Sequence, residues 1–426
     1  MRKNLIILAL LSFSASRAFA LTLEDAVSKA LENNISIKRE KITLEAAERT
    51  SKHSWNTVLP SLSVSANDEI TIPEMQNNFG LEGKAAISIS SDFVASIKKA
   101  QADYEAARIS YEEAVSEIIS QVKTSYFSLI YEKENLNFLR ENLENAKRQT
   151  EQNEERFKRG TLSELEYLSS KVAYEKLKPE LKAQEITYKN NLKAFYLILG
   201  MEDVETENQI APEGTLEIFL NKYTAFFNNS MIHDTAENVR NGHVPSLQFL
   251  EKQLEASKKE VTKTKLSVWG PSVNLSYSLS PVLSGDEKGG FKQSAAIGLS
   301  LPLENLLPFS QGADSIKTAE DSVKDLTLQL EEKSKSVSTE FSSILTSLEQ
   351  KKESISTLKD FILLAQKNYS AAQYSYSKGT MELLALQNAA KENLEAKLNL
   401  QNEFLENLKL YISLEKLCGK NALMED

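Results

Sequence analysis

Pro271-Ser272-Val273-Asn274-Leu275-Ser276-Tyr277-Ser278-Leu279-Ser280 sets a small polar residue against an apolar one along most of its length. The same pattern follows Pro60, as Ser61-Leu62-Ser63-Val64-Ser65-Ala66. Side chains of a strand point to opposite faces in turn, so each stretch predicts a strand with one apolar and one hydroxyl face. Partner strands follow at 85–91, with Ile87 and Ile89 opposed to Ser88 and Ser90, and at 294–301, with Ile297 and Leu299 opposed to Ser300. The four strands are placed at about 60–70, 82–93, 271–281 and 291–303. Hydroxyls inside and apolar residues outside is what a water-filled barrel in lipid needs. Four strands are too few to close a barrel, and open edges in hydrocarbon would leave backbone groups unbonded, so several chains must contribute. A soluble hairpin resting on its own helices is the other arrangement that the alternation permits.

Working outward from the strands, the chain repeats itself. Gly160-Thr161 recurs as Gly379-Thr380, an offset of 219 residues. In that register Ile97, Tyr104, Tyr111 and Ile118 fall on Ile316, Val323, Leu330 and Val337. Val122, Leu129, Leu136 and Leu143 fall on Phe341, Leu348, Ile355 and Ile362, Phe157 on Tyr376, and Gly200 on Gly419. Earlier in each half the offset is smaller: Leu44-Glu45-Ala46 matches Leu254-Glu255-Ala256, and Pro60-Ser61-Leu62 matches Pro271-Ser272-Val273. The difference is absorbed between the prolines and the long helices. Such a repeat decides the architecture. Each half reads as helix, two strands, long helix, return helix.

The long segments, 94–159 and 313–378, contain no Gly or Pro and count 66 residues each. At 1.5 Å per residue each is roughly 100 Å of helix. Return helices are predicted at 161–199 and 380–418, the first interrupted by Pro179. Leading helices are predicted at 35–59 and 246–268, with a short helix at 23–31. The domain reading is a first repeat at 21–200, a connecting equatorial segment at 201–230 and a second repeat at 231–426. Ile316, Val323, Leu330, Val337 and Ile344 form one seven-residue seam. Phe341, Leu348, Ile355, Ile362, Tyr369 and Tyr376 form another, on a displaced face. Seven-residue spacing marks left-handed coiled-coil packing, and two seams let helices pack sideways into a curved wall. An ordinary two-stranded rod would explain the heptads, but not the strands between the helices.

The bulk numbers agree with an exported, folded chain. Hydrophobic residues make up 41% and charged ones 26% of 426 residues, which argues against wholesale disorder. Arg2 and Lys3, the apolar run 5–11 and Ala18-Phe19-Ala20 read as a signal peptide over 1–20, with the mature chain starting at Leu21. The alternative, an N-terminal anchor, meets an apolar run too short to span a bilayer. No Cys follows the cleavage site to carry a lipid. Cleavage removes three of the 50 Lys+Arg and none of the 60 Asp+Glu, moving the net charge from −10 to −13. That balance disfavours nucleic acid. Cys418 is the only cysteine, so no internal disulfide forms. After the signal no apolar stretch is long enough for a spanning helix, leaving the periplasm, secretion, or an outer-membrane β-barrel.

Catalytic chemistry finds no footing. His53, His233 and His243 are not at metal-ligand or triad spacing, and no phosphate-binding glycine loop occurs. Cys418 corresponds to Leu199 in the repeat and reads as a small apolar filler. No enzyme activity, cofactor or metal is expected.

The turns after the long helices have a local logic. Gly160 and Gly379 stand where a residue must turn left-handed, with Lys158, Arg159 and Lys378 offsetting the helix dipole. Thr161 and Thr380 are the expected caps of the next helices, with Glu164 completing a capping box with Thr161. Taken alone, these residues describe a plain helix hairpin.

Together, the signal peptide, the duplicated helix–hairpin–helix halves and the two Gly-Thr turns resemble the TolC-like outer-membrane efflux proteins, over essentially all of the mature chain. The most specific segments are Arg156-Phe157-Lys158-Arg159-Gly160-Thr161-Leu162-Ser163, Tyr374-Ser375-Tyr376-Ser377-Lys378-Gly379-Thr380-Met381-Glu382-Leu383-Leu384, and Leu59-Pro60-Ser61-Leu62. The resemblance implies a mainly α fold with a transmembrane β-barrel: a homotrimer whose strands form one twelve-stranded barrel, continued by a twelve-helix periplasmic α-barrel. It implies an outer-membrane channel extending into the periplasm, the exit duct of a tripartite efflux pump or type I secretion system. Its partners would be a periplasmic adaptor, an inner-membrane transporter and outer-membrane lipid. It further implies an adaptor-docking tip at Arg156, Gly160, Thr161, Leu162, Ser163, Tyr376, Gly379, Thr380 and Met381. In relatives the helix after the second turn commonly carries acidic residues that ring a closed aperture. Here Ala385 and Asn388 stand there, and Glu166 and Ser169 in the first repeat, so Glu166 is the one charged candidate. The rival class is an exported coiled-coil scaffold or adhesin without a pore, against which the serine-lined strands argue.

Overall fold

The computed structural model describes residues 21–71, 76–201, 212–281 and 290–419. The signal-peptide reading of 1–20 lies outside the described residues, as do 202–211 of the connecting segment. The elements run α1 (Leu23–Asn33), α2 (Ile35–Lys52), β1 (Ser61–Thr71), β2 (Gln76–Ser90), α3 (Phe93–Lys158) and α4 (Glu164–Ile198). They continue with α5 (Leu216–Phe226), α6 (Asn229–Arg240), α7 (Pro245–Trp269), β3 (Ser272–Pro281), β4 (Phe291–Ser300), α8 (Gln311–Ser377) and α9 (Leu383–Cys418). Short 3-10 turns cover Ser54–Val58 and Leu303–Leu306. With no breaker in their interiors, α3 and α8 run 66 and 67 residues. β2 begins earlier than the alternation suggested, and α5 falls in the connecting segment, where no helix was read. No helix among the described residues is long and apolar enough to cross a membrane.

Compactness divides the chain differently from duplication. One unit holds Met1–Lys38, Ala114–Pro245 and Val337–Asp426, the other Arg39–Glu113 and Ser246–Ser336, so each repeat contributes to both.

In the second unit the four strands form one antiparallel sheet, β1-β2-β3-β4. Its register puts like with like. Leu62, Ala85, Tyr277 and Ala295 lie in one row, Ile87, Leu275 and Ile297 in another, and Ile89, Val273 and Leu299 in a third. Directly paired residues share a face, so these rows make one apolar face four strands wide. The alternate rows carry Ser61 with Ala86, Ser276 and Ala296; Ser63 with Lys84, Ser278 and Ser294; and Ser90 with Ser272 and Ser300. The Ser278 and Ser294 hydroxyls touch across the strands at 2.8 Å. Leu62 and Ile297 are each 81% exposed in the single chain, so much of the apolar face is left uncovered by the described residues. The hairpins meet at Gly270. Ser91 Oγ donates to Leu266 O at 2.7 Å and Ser91 N–H to Pro271 O at 3.1 Å. A Cβ on Gly270 would stand 1.6 Å from Ser91 Oγ, so only glycine passes.

The first unit has an aromatic core in which α5 and α9 pack with the middle of α3. Tyr223 stacks on Phe227 and Tyr411 and meets Phe127 edge-on. Lys123 and Glu415 pair at 2.7 Å with side chains only 1% and 7% exposed, and the Tyr223 hydroxyl donates to Glu415 Oε2 at 3.1 Å. Burial pulls the Lys123 pKa down against the opposing pull of Glu415. The Tyr126 hydroxyl donates to the Leu21 carbonyl at 2.8 Å and accepts from Glu213 N–H at 3.0 Å, tying both segments to α3. Asn34 joins two helices: its N–H donates to Ala30 O, while its Oδ1 accepts from the N–H groups of Ser36 and Ile37.

Removing one member of a buried ion pair strands the other. Lys123→Met should cost roughly 3–5 kcal/mol, and pairing it with Glu415→Leu should recover most of that, as read by urea unfolding. Burial also pushes the Tyr126 hydroxyl up to about 12 from an ordinary 10.0, and Tyr223 moves in the same direction. A pKa raised on folding stabilises fully below the unfolded value, and that contribution is lost as pH rises through the folded one. The thermal midpoint of this unit should therefore fall between pH 10 and about 12, with a shallower slope in Tyr126→Phe.

Candidate functional site

The helix turns in the first unit are two copies of one device. Gly160 and Gly379 have φ of 74° and 75°, with nothing within 4 Å of where a Cβ would be. In the first turn Gly160 N–H donates to Phe157 O at 2.8 Å and Thr161 N–H to Arg156 O at 2.9 Å. In the second, Gly379 N–H donates to Tyr376 O and Thr380 N–H to Ser375 O, both at 3.0 Å. This is a Schellman end, with glycine at C′ and threonine at C″. The threonine hydroxyls reinforce it, donating to the Arg156 and Ser375 carbonyls at 3.0 Å.

That corrects the expected caps. Thr161 and Thr380 close the preceding helix and do not open the next one, because their N–H and hydroxyl groups are already committed backward. The return helices accordingly start at Glu164 and Leu383. Ser163 is the N-cap of α4, accepting from Glu166 N–H at 3.2 Å and donating to Glu166 Oε2 at 2.9 Å. Glu166, not Glu164, therefore pairs with the N-cap, through the Ser163 hydroxyl and not through its backbone N–H. Glu382 occupies the corresponding position before α9 without a side-chain cap bond.

Tyr376 is the most enclosed of the predicted tip residues. It packs with Ala372, Leu383, Leu386 and Ala389, and Met381 lies against that cluster. Its hydroxyl donates to Asn153 Oδ1 at 2.9 Å, a buried bond from α8 to α3, and the Arg156 guanidinium lies 5.5 Å from its ring centre. Burial raises the Tyr376 pKa. The first copy has Phe157 in place of Tyr376. Lacking a hydroxyl, it stacks on Tyr167 at 5.5 Å. Gly160, Thr161, Ser163, Gly379 and Thr380 are exposed, and Arg156 and Leu162 half-buried. Of the aperture candidates, Ser169, Ala385 and Asn388 are exposed in the single chain, while Glu166 is half-buried and engaged with Ser163.

Sequence reasoning missed Asn153, and with it the buried bond from Thr150 Oγ1 to Ser170 O at 3.1 Å. A signal existed: the repeat partner of Asn153 is Ala372, so an amide replaces a small apolar residue at a packed position. No group of three His, Cys, Asp or Glu gathers at metal-binding distance among the described residues.

Residues 26–201 match the family model described as outer membrane efflux protein. Over that stretch the chain is similar to the outer membrane efflux proteins, the family its strands and turns resemble. The fold is also that of solved outer-membrane channels. The outer-membrane channel OprN superposes with a TM-score of 0.76 at 16% identity, over 94% of this chain and 90% of that one. The Campylobacter jejuni CmeC outer membrane channel gives 0.76 at 19% identity, over 93% and 85%. The outer membrane protein VceC of Vibrio cholerae gives 0.74 at 15%, over 94% and 96%. At these identities the likeness shows the fold alone. No curated protein matches the sequence. The family consists of outer-membrane channel proteins, not enzymes, and its members lie in the outer membrane and extend into the periplasm.

Replacing Ser163 with Ala should cost about 1 kcal/mol, the usual worth of an N-cap, and loosen the first turn of α4. Thr161→Ala should leave that turn intact. Amide hydrogen exchange at 164–168 distinguishes the two variants.

Proposed function

We propose that this chain is a TolC-like efflux protein, the exit duct of a tripartite efflux pump or a type I secretion system: a homotrimer, passive and gated at its tip. The observation that carries this reading is the sheet. It has one continuous apolar face, one hydroxyl-rich face, and two outer edges, on β1 and β4, that pair with nothing among the described residues. In hydrocarbon, such edges must be joined to strands of other copies. Three copies, the number that the resemblance implies, would bring twelve strands into a closed barrel with hydroxyls toward water. The two repeats, 21–200 and 231–426, with 201–230 connecting them, are then the units that duplication supplied.

Gating is supported by the unequal turns. The α8–α9 hairpin is tied to α3 by Tyr376 and Asn153 through one buried hydrogen bond between neutral groups. Such a bond contributes about 0.5–1.5 kcal/mol, enough to bias a closed state and weak enough for a partner to undo. A periplasmic adaptor engaging Arg156, Gly160, Thr161, Leu162, Ser163, Gly379, Thr380 and Met381 would supply that energy, and an inner-membrane transporter the drive. With Ala385, Asn388 and Ser169 uncharged, Glu166 gives at most one carboxylate per copy to an aperture there.

The purified mature protein should run as a trimer in detergent and conduct ions in a planar bilayer. Tyr376→Phe keeps the ring and removes the link, and should raise the open probability by up to about tenfold for the hydrogen-bond energy lost. A monomer that stays soluble without detergent and never conducts would refute the channel.

A further inference from the structure

The polar face of the sheet is not uniform along its length. The three rows nearest the helices, from Ser90 with Ser272 to Ala86 with Ser276, hold only Ser, Ala, Asn and Gly. In the fourth row Lys84 pairs with Ser63 on one side and Ser278 on the other. One row farther along, Glu82 pairs with Ser65, and Lys292 with Ser280. Two cations and one carboxylate therefore gather in two adjacent rows, on the face that the barrel reading turns toward water. Lys84 and Lys292 are exposed and Glu82 is half-buried, and none of the three enters an ion pair among the described residues.

Edge protection explains only one of the lysines. A lysine on an outer strand blunts an open edge, which would account for Lys292 on β4 but not for Lys84 on the interior strand β2. Cations also outnumber carboxylates here in a chain whose net charge is −10. The next acid along β1, Glu69, pairs with Asn78 four residues beyond Ser65. At about 3.3 Å per residue it stands about 13 Å away, beyond the screening length of about 8 Å at physiological salt. Twelve strands spaced about 4.8 Å apart and tilted by about 40° make a ring with a backbone radius of about 12 Å. A four-carbon stem carries each ammonium inward from that wall, so a solute crossing these rows stays within roughly one screening length of a lysine.

We propose that Lys84 and Lys292 form a cationic band inside the barrel that makes the duct favour anionic solutes, carboxylates and phosphates, over cations. This rests on the barrel reading above, because the polar face must line the lumen, and it goes beyond that reading by assigning the charge of the cargo. The tip offers little opposition. Of the candidate aperture residues only Glu166 is charged, and its carboxylate is engaged by the Ser163 hydroxyl at 2.9 Å.

The test is the reversal potential of the full mature protein in a planar bilayer under a gradient of dilute KCl. At about 0.01 M against about 0.1 M the screening length is roughly 30 and 10 Å, long enough for the band to act across the bore. The chloride-to-potassium permeability ratio should exceed one in the native protein, and Lys84→Gln with Lys292→Gln should lower it at least about twofold. Lys84→Arg with Lys292→Arg keeps both charges and should leave the ratio where it was. A native ratio below one, a ratio that the glutamine substitutions do not move, or an equal loss in the arginine variant overturns the band, while conduction itself upholds the barrel. A protein that conducts nothing takes the barrel reading down and the band with it. Each glutamine substitution alone should move the ratio in the same direction, so the test stands even if the double variant fails to assemble.

Discussion

Backbone N–H and C=O groups without partners in hydrocarbon cost several kcal/mol each, and β1 and β4 each present an outer row of them. Every larger feature of this protein answers to that constraint. On the proposed reading the hairpins cannot serve as a single chain's sheet in lipid, and the fold is a fraction of a larger cylinder. The alternation of serine with leucine, valine and isoleucine then becomes necessary, because one face of a closed cylinder meets acyl chains and the other meets water. Neither face alone dictates this. A soluble sheet also has a polar side, but it covers its apolar side, and here the described residues leave much of that side open.

Duplication built the scaffold, and divergence between the copies placed its special contacts. The repeat partner of Lys123 is Ser342, and that of Glu415 is Tyr196. The buried ion pair therefore exists once per chain, beside the inserted helix α5, whose Tyr223 completes it. The same holds at the turns. Tyr376 and Asn153 replace Phe157 and Ala372, so one hairpin carries a polar tie to its neighbour and the other a stack of rings. The symmetric parts hold the shape; the asymmetric parts make one turn different from the other.

Periodicity made most of the architecture legible. The heptads from Ile316 to Tyr376 and the two-residue alternation after Pro60 and Pro271 are physical rulers of period 3.5 and 2, and helix and strand were read directly from them. Local capping was harder. Thr161 looked like an N-cap because Ser, Thr, Asp and Asn before a helix usually are. Whether a threonine faces backward or forward depends on where the left-handed glycine puts its N–H, and one residue of offset reverses the answer. The bond from Ser163 Oγ to Glu166 Oε2 was likewise not legible, because Glu164 stood closer to the expected cap. Asn153 was hidden more deeply, since an amide inside a helix reads as a solvated side chain until its partner 223 residues away is known. α5 escaped because it follows no repeat.

The crossing at Gly270 has an implication for how such a chain can change. A strand enters the sheet there through a gap that leaves no room for a single carbon atom, with Ser91 of the other repeat on the far side. The two ancestral halves therefore touch backbone to side chain at their closest approach, and neither half can drift at that point without the other. Adjustments of the sheet's width or of its faces have to arise elsewhere along the strands, with this junction as the fixed pivot about which they are made.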